Sequence, residues 1–270
     1  MDRLKLHFLK FNKSIIAVIH VGALPGTPKN LYSTEKIIEM AVEEALIFRD
    51  GGTDALLIEN MHDRPYLNKT IGPEITSVMT AIACEIKAKI QLPSGIQILA
   101  GANKEALAVA LAAGLEFIRA EGFVFGHLAD EGWINSDAGE LLRYRKQIGA
   151  GHIQILTDIK KKHSSHAATV DISPEETAKA AEFFLSDGIV VTGKTTAEKA
   201  DIKEVQAVKK VTTLPVIIGS GIDQYNIKEY WNYADGFIIG SFFKKNGYWE
   251  NAVDKKRVKQ FMQQIHQLRT

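Results

Sequence analysis

The sequence has almost no cysteine, no excess of either charge and no apolar run of membrane-spanning length. With Cys84 as the single cysteine, an intrachain disulfide is impossible, and a reducing, cytoplasmic compartment is expected. Cys84 lies in Ala81-Ile-Ala-Cys-Glu-Ile86, whose apolar spacing reads as a buried structural thiol rather than a nucleophile. Lysine and arginine number 33 against 32 aspartates and glutamates, a formal net charge of +1. That balance gives no electrostatic case for nucleic acid or an anionic membrane. No apolar stretch approaches the roughly 20 residues of a spanning helix. No low-complexity linker divides the chain, and no G-x-G-x-x-G turn follows its first strand, so a dinucleotide fold of the Rossmann kind is not indicated.

What is present is 270 residues, 46% hydrophobic and 24% charged, enough for one large α/β domain covering 1–270. Residues 1–13 are basic and amphipathic and are read as an extension or a cap under a barrel. An organellar address is the alternative, weakened by Asp2 and the single arginine. From residue 15 onward strand and helix signals alternate. Short, continuously apolar strand candidates are Ile15–Ile19, Asp54–Ile58, Ile96–Leu99, Glu116–Arg119, Ile153–Leu156, Gly188–Val191, Pro215–Ile218 and Gly236–Ile239. Helical spacing separates them, as in Ile37, Ile38, Ala41, Val42, Ala45 and Leu46, and ends in the stripe Val258, Phe261, Met262, Ile265 and Leu268. Ser173-Pro-Glu-Glu176 is a capping box; Asp137, Asp201 and Asn226 start box-like spacings, and Gly72-Pro73 opens a helix. Eight such units predict an α/β fold, a single parallel (β/α)8 TIM barrel with its site at the C-terminal face; a doubly wound open sheet is the alternative.

In such a barrel the residues ending the strands face the mouth. The seventh and eighth strands end in Gly219-Ser220-Gly221 and Gly240-Ser241, a glycine-hydroxyl pair suited to a ligand's phosphate. Backbone N–H groups of Gly221 and Ser241 are expected to meet it, with the Ser220 and Ser241 hydroxyls assisting. Around the same mouth stand His20, Glu59, Arg119, Asp158, Lys162 and His163. A carboxylate placed directly after an apolar strand is costly to bury unpaired, so Glu59 and Asp158 read as an acid–base pair, or as partners of Arg119 in an internal ion pair. Together with His20 and His163 they could instead bind a divalent ion, although no compact ligand motif marks one. Lys160-Lys-Lys-His163 reads as a solvated loop or one closing over an anion. A Schiff base is not expected of these lysines, because barrel lysines of that kind project from a strand; Lys194 sits closer to a strand end and is the better candidate, but is not assigned one either. Glu121-Gly-Phe-Val-Phe-Gly126 has the glycines of a lid.

At these residues the sequence resembles the BtpA family of TIM-barrel proteins, also called BtpA/SgcQ-like. The matches are His20-Val-Gly-Ala-Leu-Pro-Gly-Thr-Pro28, Glu59-Asn-Met-His-Asp-Arg-Pro-Tyr66, Asp158 with Lys162-His163, and the terminal Gly219-Ser-Gly221 and Gly240-Ser241. The resemblance spans nearly the whole chain. It implies the barrel but no settled reaction: the family takes its name from a role in photosystem I biogenesis, whereas other members look like enzymes of sugar metabolism. Lys161 stands where that family's pattern is usually apolar.

Three functions fit. The first is an enzyme on a phosphorylated sugar or nucleotide-like small molecule, working by isomerisation, lyase chemistry or glycosidic cleavage through Glu59 and Asp158. The second is an assembly or stability factor for a protein complex, for which Tyr230, Trp231 and Tyr233 are the candidate surface and no long exposed apolar patch is evident. The third is a sensor that binds a phosphometabolite without chemistry. A homo-oligomer formed through the barrel helices is compatible with each.

Overall fold

The computed structural model describes residues 6–9, 13–193 and 195–270. Eight parallel strands close into a barrel: β1 (Ser14–His20), β2 (Ala55–Glu59), β3 (Ser94–Gln97), β4 (Phe117–Ala120), β7 (Gln154–Ile159), β9 (Gly188–Val191), β10 (Val216–Ile218) and β11 (Gly236–Ile239). They are ringed by α1 (Thr34–Gly51), α2 (Pro73–Lys89), α3 (Asn103–Ala113), α4 (Ala138–Gln147), α5 (Pro174–Phe183), α6 (Ile202–Val211), a single turn α7 (Ile227–Tyr230) and α8 (Lys255–Arg269). Closure is made by β1, which pairs with β2 on one side and with β11 on the other, Ser14 opposite Gly236. The single TIM barrel is therefore what the alternating pattern specifies, and the open sheet is excluded.

Most strand boundaries fall within two residues of expectation. The largest consequence is at β7, which runs on to Ile159, so Asp158 projects from within a strand. Inside the barrel, alternate residues form an apolar cluster of Ile16, Val18, Ala55, Leu57, Phe117, Leu156, Val190, Ile217 and Ile238. Leu6 and Phe8 complete it from below, with Phe8 stacked on Phe117 at 4.4 Å. The second core lies between strands and helices and takes the α8 stripe Val258, Phe261, Met262 and Ile265.

The capping box at Ser173 forms, and Asp201 caps α6. Asp137 and Asn226 do not cap: Asp137 accepts from Lys69 and Asn103, and Asn226 ties Gly221 to Asp223. Tyr230 is buried, and Trp231 and Tyr233 pack on the core, so this aromatic trio is no exposed surface. Cys84 corrects the sequence reading. It is exposed, because two residues from Ile82 on a helix is a turn of about 200°, away from the buried face of Ile75, Val78, Met79, Ile82 and Ile86.

An element not read from the sequence sits above the mouth. β5 (His127–Ala129) pairs antiparallel with β6 (Gly132–Ile134) and with the two-residue β8 (Ser164–Ser165). This small sheet joins the 121–126 segment to the lysine loop. Phe123 is buried beneath it and Phe125 lies at the rim.

Candidate functional site

Alternation along the strands sets the site two residues beyond the apolar interior. Val18, Leu57, Phe117 and Leu156 line the interior, and His20, Glu59, Arg119 and Asp158 follow them on the same inward faces. Arg119 organises this layer. Its Nε and Nη2 donate to the two Asp158 carboxylate oxygens at 2.9 and 3.0 Å, and its Nη1 donates to Glu59 Oε1 at 3.1 Å. All three side chains are buried. Burial disfavours the charged guanidinium, but Asp158 and Glu59 outweigh it and hold Arg119 above its ordinary pKa. Asp158 has both oxygens engaged. Glu59 keeps Oε2 without a hydrogen bond among the described residues.

On β10 and β11 the corresponding inward positions are Gly219 and Gly240, and the missing side chains make room. A Cβ on Gly240 would lie 2.9 Å from His20 Nε2, and one on Gly219 would lie 3.2 Å from Arg119 Nη2. Their value is space. Gly221 differs: its φ of +67° is the left-handed conformation that glycine adopts without strain. The result is a lobe of about 240 Å³ bounded by His20, Glu59, Arg119, Lys162, Gly219, Gly221, Gly240, Ser241 and Arg257. The N–H groups of Gly221 and Ser241 have no hydrogen-bond partner among the described residues.

The Ser220 hydroxyl is spent elsewhere. It accepts from the Gly193 N–H at 2.7 Å and donates to the Glu198 carbonyl at 2.9 Å, tying two loops together, so it does not assist a ligand as expected. Arg257 was not found from the sequence. It stands in the first turn of α8, its guanidinium 4.6 Å over the Phe242 ring and its buried Nε unpartnered. Only its position at the helix end nearest the mouth could have signalled it.

His20 Nδ1 lies 3.1 Å from the Trp249 carbonyl oxygen, which can only accept, so that nitrogen carries the proton. Nε2 then keeps its lone pair toward Gly240. Burial, followed by Lys244, holds the His20 pKa well below the ordinary value and the ring neutral.

A second lobe of about 270 Å³ shares Glu59, Met61, Arg119, Lys162 and Thr196 with the first, and adds Tyr66, Leu99, Glu121, Lys161 and Trp249. Its roof is the small sheet, through Asp130 and Glu131. The lysine loop is therefore not solvated. Lys161 is buried between Glu121 and Glu131 at 3.6 and 3.5 Å, and Lys160 donates to the Thr169 carbonyl. Glu121 is also buried; burial raises its pKa despite Lys161. Lys162 is half-buried at the junction of the two lobes. His163 turns to the rim, where Nε2 meets Thr196. The four side chains considered for a divalent ion do not converge, because Arg119 fills the gap between the carboxylates; no group of three metal-ligating side chains occurs among the described residues. Lys194 lies outside the described residues.

The family model "BtpA family" matches residues 11–267. The chain belongs to the BtpA family. Among BtpA relatives, it is 47% identical over 94% of its length to an uncharacterised mitochondrial protein of Caenorhabditis elegans, covering 94% of that protein. It is 32% identical to the photosystem I biogenesis protein BtpA of Synechocystis, covering 92% of this chain and 86% of the relative. Solved structures with the same fold include Pyrococcus furiosus phosphoribosylanthranilate isomerase, with a TM-score of 0.58, 16% identity and coverage of 94% and 99%. Thiamine phosphate pyrophosphorylase from the same organism has a TM-score of 0.58, 13% identity and coverage of 95% and 96%. At these identities the likeness to the two enzymes is one of fold alone. No helix of this BtpA-family chain, among the described residues, is long and apolar enough to cross a membrane.

Proposed function

We propose that this BtpA-family barrel is an enzyme acting on a phosphorylated small molecule. The observation that carries this reading is the joined pair of lobes. One offers free backbone N–H groups and Arg257 to an anion; the other brings Glu59 and Lys162 to the same wall. Each lobe alone is smaller than the roughly 300–1,000 Å³ of an ordinary ligand pocket, so one ligand spans both. Its phosphate lies against Gly221, Ser241 and Arg257. Glu59 Oε2 is the proton-transferring group and His20 Nε2 a neutral acceptor, while Asp158 fixes Arg119 in place. The two structural neighbours carry phosphate-bearing compounds in their names, which accords with this assignment. The compartment is a reducing one, and the name of the worm relative makes an organelle as compatible as the cytoplasm.

The test is a thermal-shift panel of sugar phosphates, nucleotides and inorganic phosphate, each with and without divalent cation. A ligand at a hundredfold its Kd stabilises by about 2.7 kcal/mol. Arg257→Met is the control, because a Cβ at Gly221 would run into the Lys199 and Glu198 backbone. A shift in the parent that shrinks in Arg257→Met supports the anion lobe, and a flat panel refutes it.

The Synechocystis relative's name supports a second reading, an assembly factor, and one surface favours it. Phe183 and Leu185 are 81% and 68% exposed beside Phe184 at the end of α5, an apolar patch not apparent from the sequence. Substitution of Phe183 and Leu185 by serine would then abolish partner capture while leaving ligand shifts intact.

A further inference from the structure

We propose that Lys162 is a nucleophilic amine that forms an imine with the carbonyl of a phosphorylated aldehyde or ketone. The proposal rests on the phosphate reading above and narrows it to carbonyl substrates. Three features of the site carry it. Lys162 lines both lobes, so a carbonyl carbon held between a phosphate in the first lobe and a chain in the second would lie beside its Nζ. Its amine makes no hydrogen bond or ion pair within direct contact among the described residues, in a site where Arg119 and Lys161 are each tied to carboxylates. Glu59, with Oε2 free, shares the same wall.

The electrostatics agree with this geometry. Burial and then the neighbouring Arg119 lower the Lys162 pKa, which is how an amine becomes available as a nucleophile. Lys162 stands three residues beyond the end of β7. The expectation that such chemistry needs a lysine projecting from a strand gives way here, because the small sheet folds this loop back over the mouth.

The step balances without any co-reactant. The ammonium first gives up one proton, the Nζ lone pair so freed adds to the carbonyl carbon, and the carbonyl oxygen collects that proton and one further proton from the nitrogen and leaves as water. One ammonium and one carbonyl thus give one protonated imine and one water, with no net change in charge. The imine then withdraws electrons from the adjacent carbon, and Glu59 Oε2 takes the proton released there. Loss of that proton leads to isomerisation, and loss of the proton of a hydroxyl one carbon further on leads instead to carbon–carbon cleavage, whereas glycosidic cleavage follows neither route.

The experiment incubates the full chain with dihydroxyacetone phosphate or ribulose 5-phosphate, reduces with sodium borohydride and maps adducts by peptide mass. Unphosphorylated dihydroxyacetone is run in parallel. The expected result is a single adduct on Lys162, suppressed by excess inorganic phosphate and absent in Lys162→Met. Lys162→Arg keeps the charge and must lose the adduct while retaining the ligand-induced thermal shift, which separates lost chemistry from lost folding. A thermal shift with no adduct, or adducts that persist unchanged in both variants, overturns the imine while leaving the phosphate lobe standing. If no phosphorylated compound shifts the melting temperature, the phosphate reading fails and the imine falls with it.

Discussion

Phe117 and Arg119 stand two residues apart on β4, both facing the barrel axis, and they have opposite occupations. Phe117 stacks on Phe8 in an apolar floor; Arg119 holds two carboxylates under an open mouth. The floor gains free energy from every atom it removes from water. The layer above must first desolvate three charges, a cost that their attraction only roughly recovers. One strand therefore carries a residue whose worth is stability and another whose worth lies in what it positions. A charged layer kept at such cost, one step above a floor that packs well without it, accords with the proposed site.

Four substitutions sharpen or break that contrast. The largest effect belongs to Glu59→Gln, which keeps the Arg119 contact but removes the proposed proton acceptor; turnover should fall by about 10²–10⁴-fold. The thermal shift with a phosphorylated ligand should stay near that of the parent, and a parallel collapse of the melting temperature would place Glu59 with the floor. Phe117→Ala should do the reverse. It opens a cavity against the Phe8 ring and should cost about 3–5 kcal/mol in urea unfolding, with ligand shifts retained. Gly240→Ala comes next, putting a methyl 2.9 Å from His20 Nε2. Overpacking there should cost about 1–3 kcal/mol and shrink the phosphate-induced shift; unchanged binding would show that the lobe is not where the phosphate sits.

The smallest effect concerns the roof. His127 on β5 has its pKa lowered to about 4, mainly by burial and then by Lys161. In the unfolded chain it titrates near 6.5, so as pH falls the unfolded state takes up the proton first. The stability contribution of neutral His127 is present above about pH 6.5 and is lost as pH falls toward about 4. His127→Phe should therefore lose less melting temperature than the parent between those limits. An equal loss in both would mean that the roof opens to water before it titrates.

The barrel was legible because each strand repeats one message, a short apolar run ending in a turn. The inward places of His20, Glu59 and Asp158 at the mouth were legible too, since each is a polar residue at or near the end of such a run, and the ion pair with Arg119 offered as one use of the two carboxylates is what forms. The engagements were not. Asp137 has the spacing of a helix cap, yet it is claimed by Lys69 and Asn103 from distant segments. Ser220 sits in a glycine-rich loop but bonds to Gly193 and Glu198, partners that only the closed ring brings near. The Lys160–Lys162 run reads as solvated because nothing local announces the three-residue strands that fold over it. Arg257 belongs to an otherwise ordinary amphipathic helix, and its neighbour Phe242 comes from another element. Such pairings depend on tertiary approach, which local periodicity does not encode.

The seam between β1 and β11 has a consequence during synthesis. The first strand leaves the ribosome with one edge unmatched, and its partner, Gly236–Ile239, is the last of the eight barrel strands to be made. Until then the nascent protein exposes an apolar strand edge of the kind that pairs with other chains. The same seam sets His20 against Gly240, so the lobe they bound has no existence before closure. A ligand that fills the lobe thus grips the first and last strands at once, and acts as a latch on the completed ring.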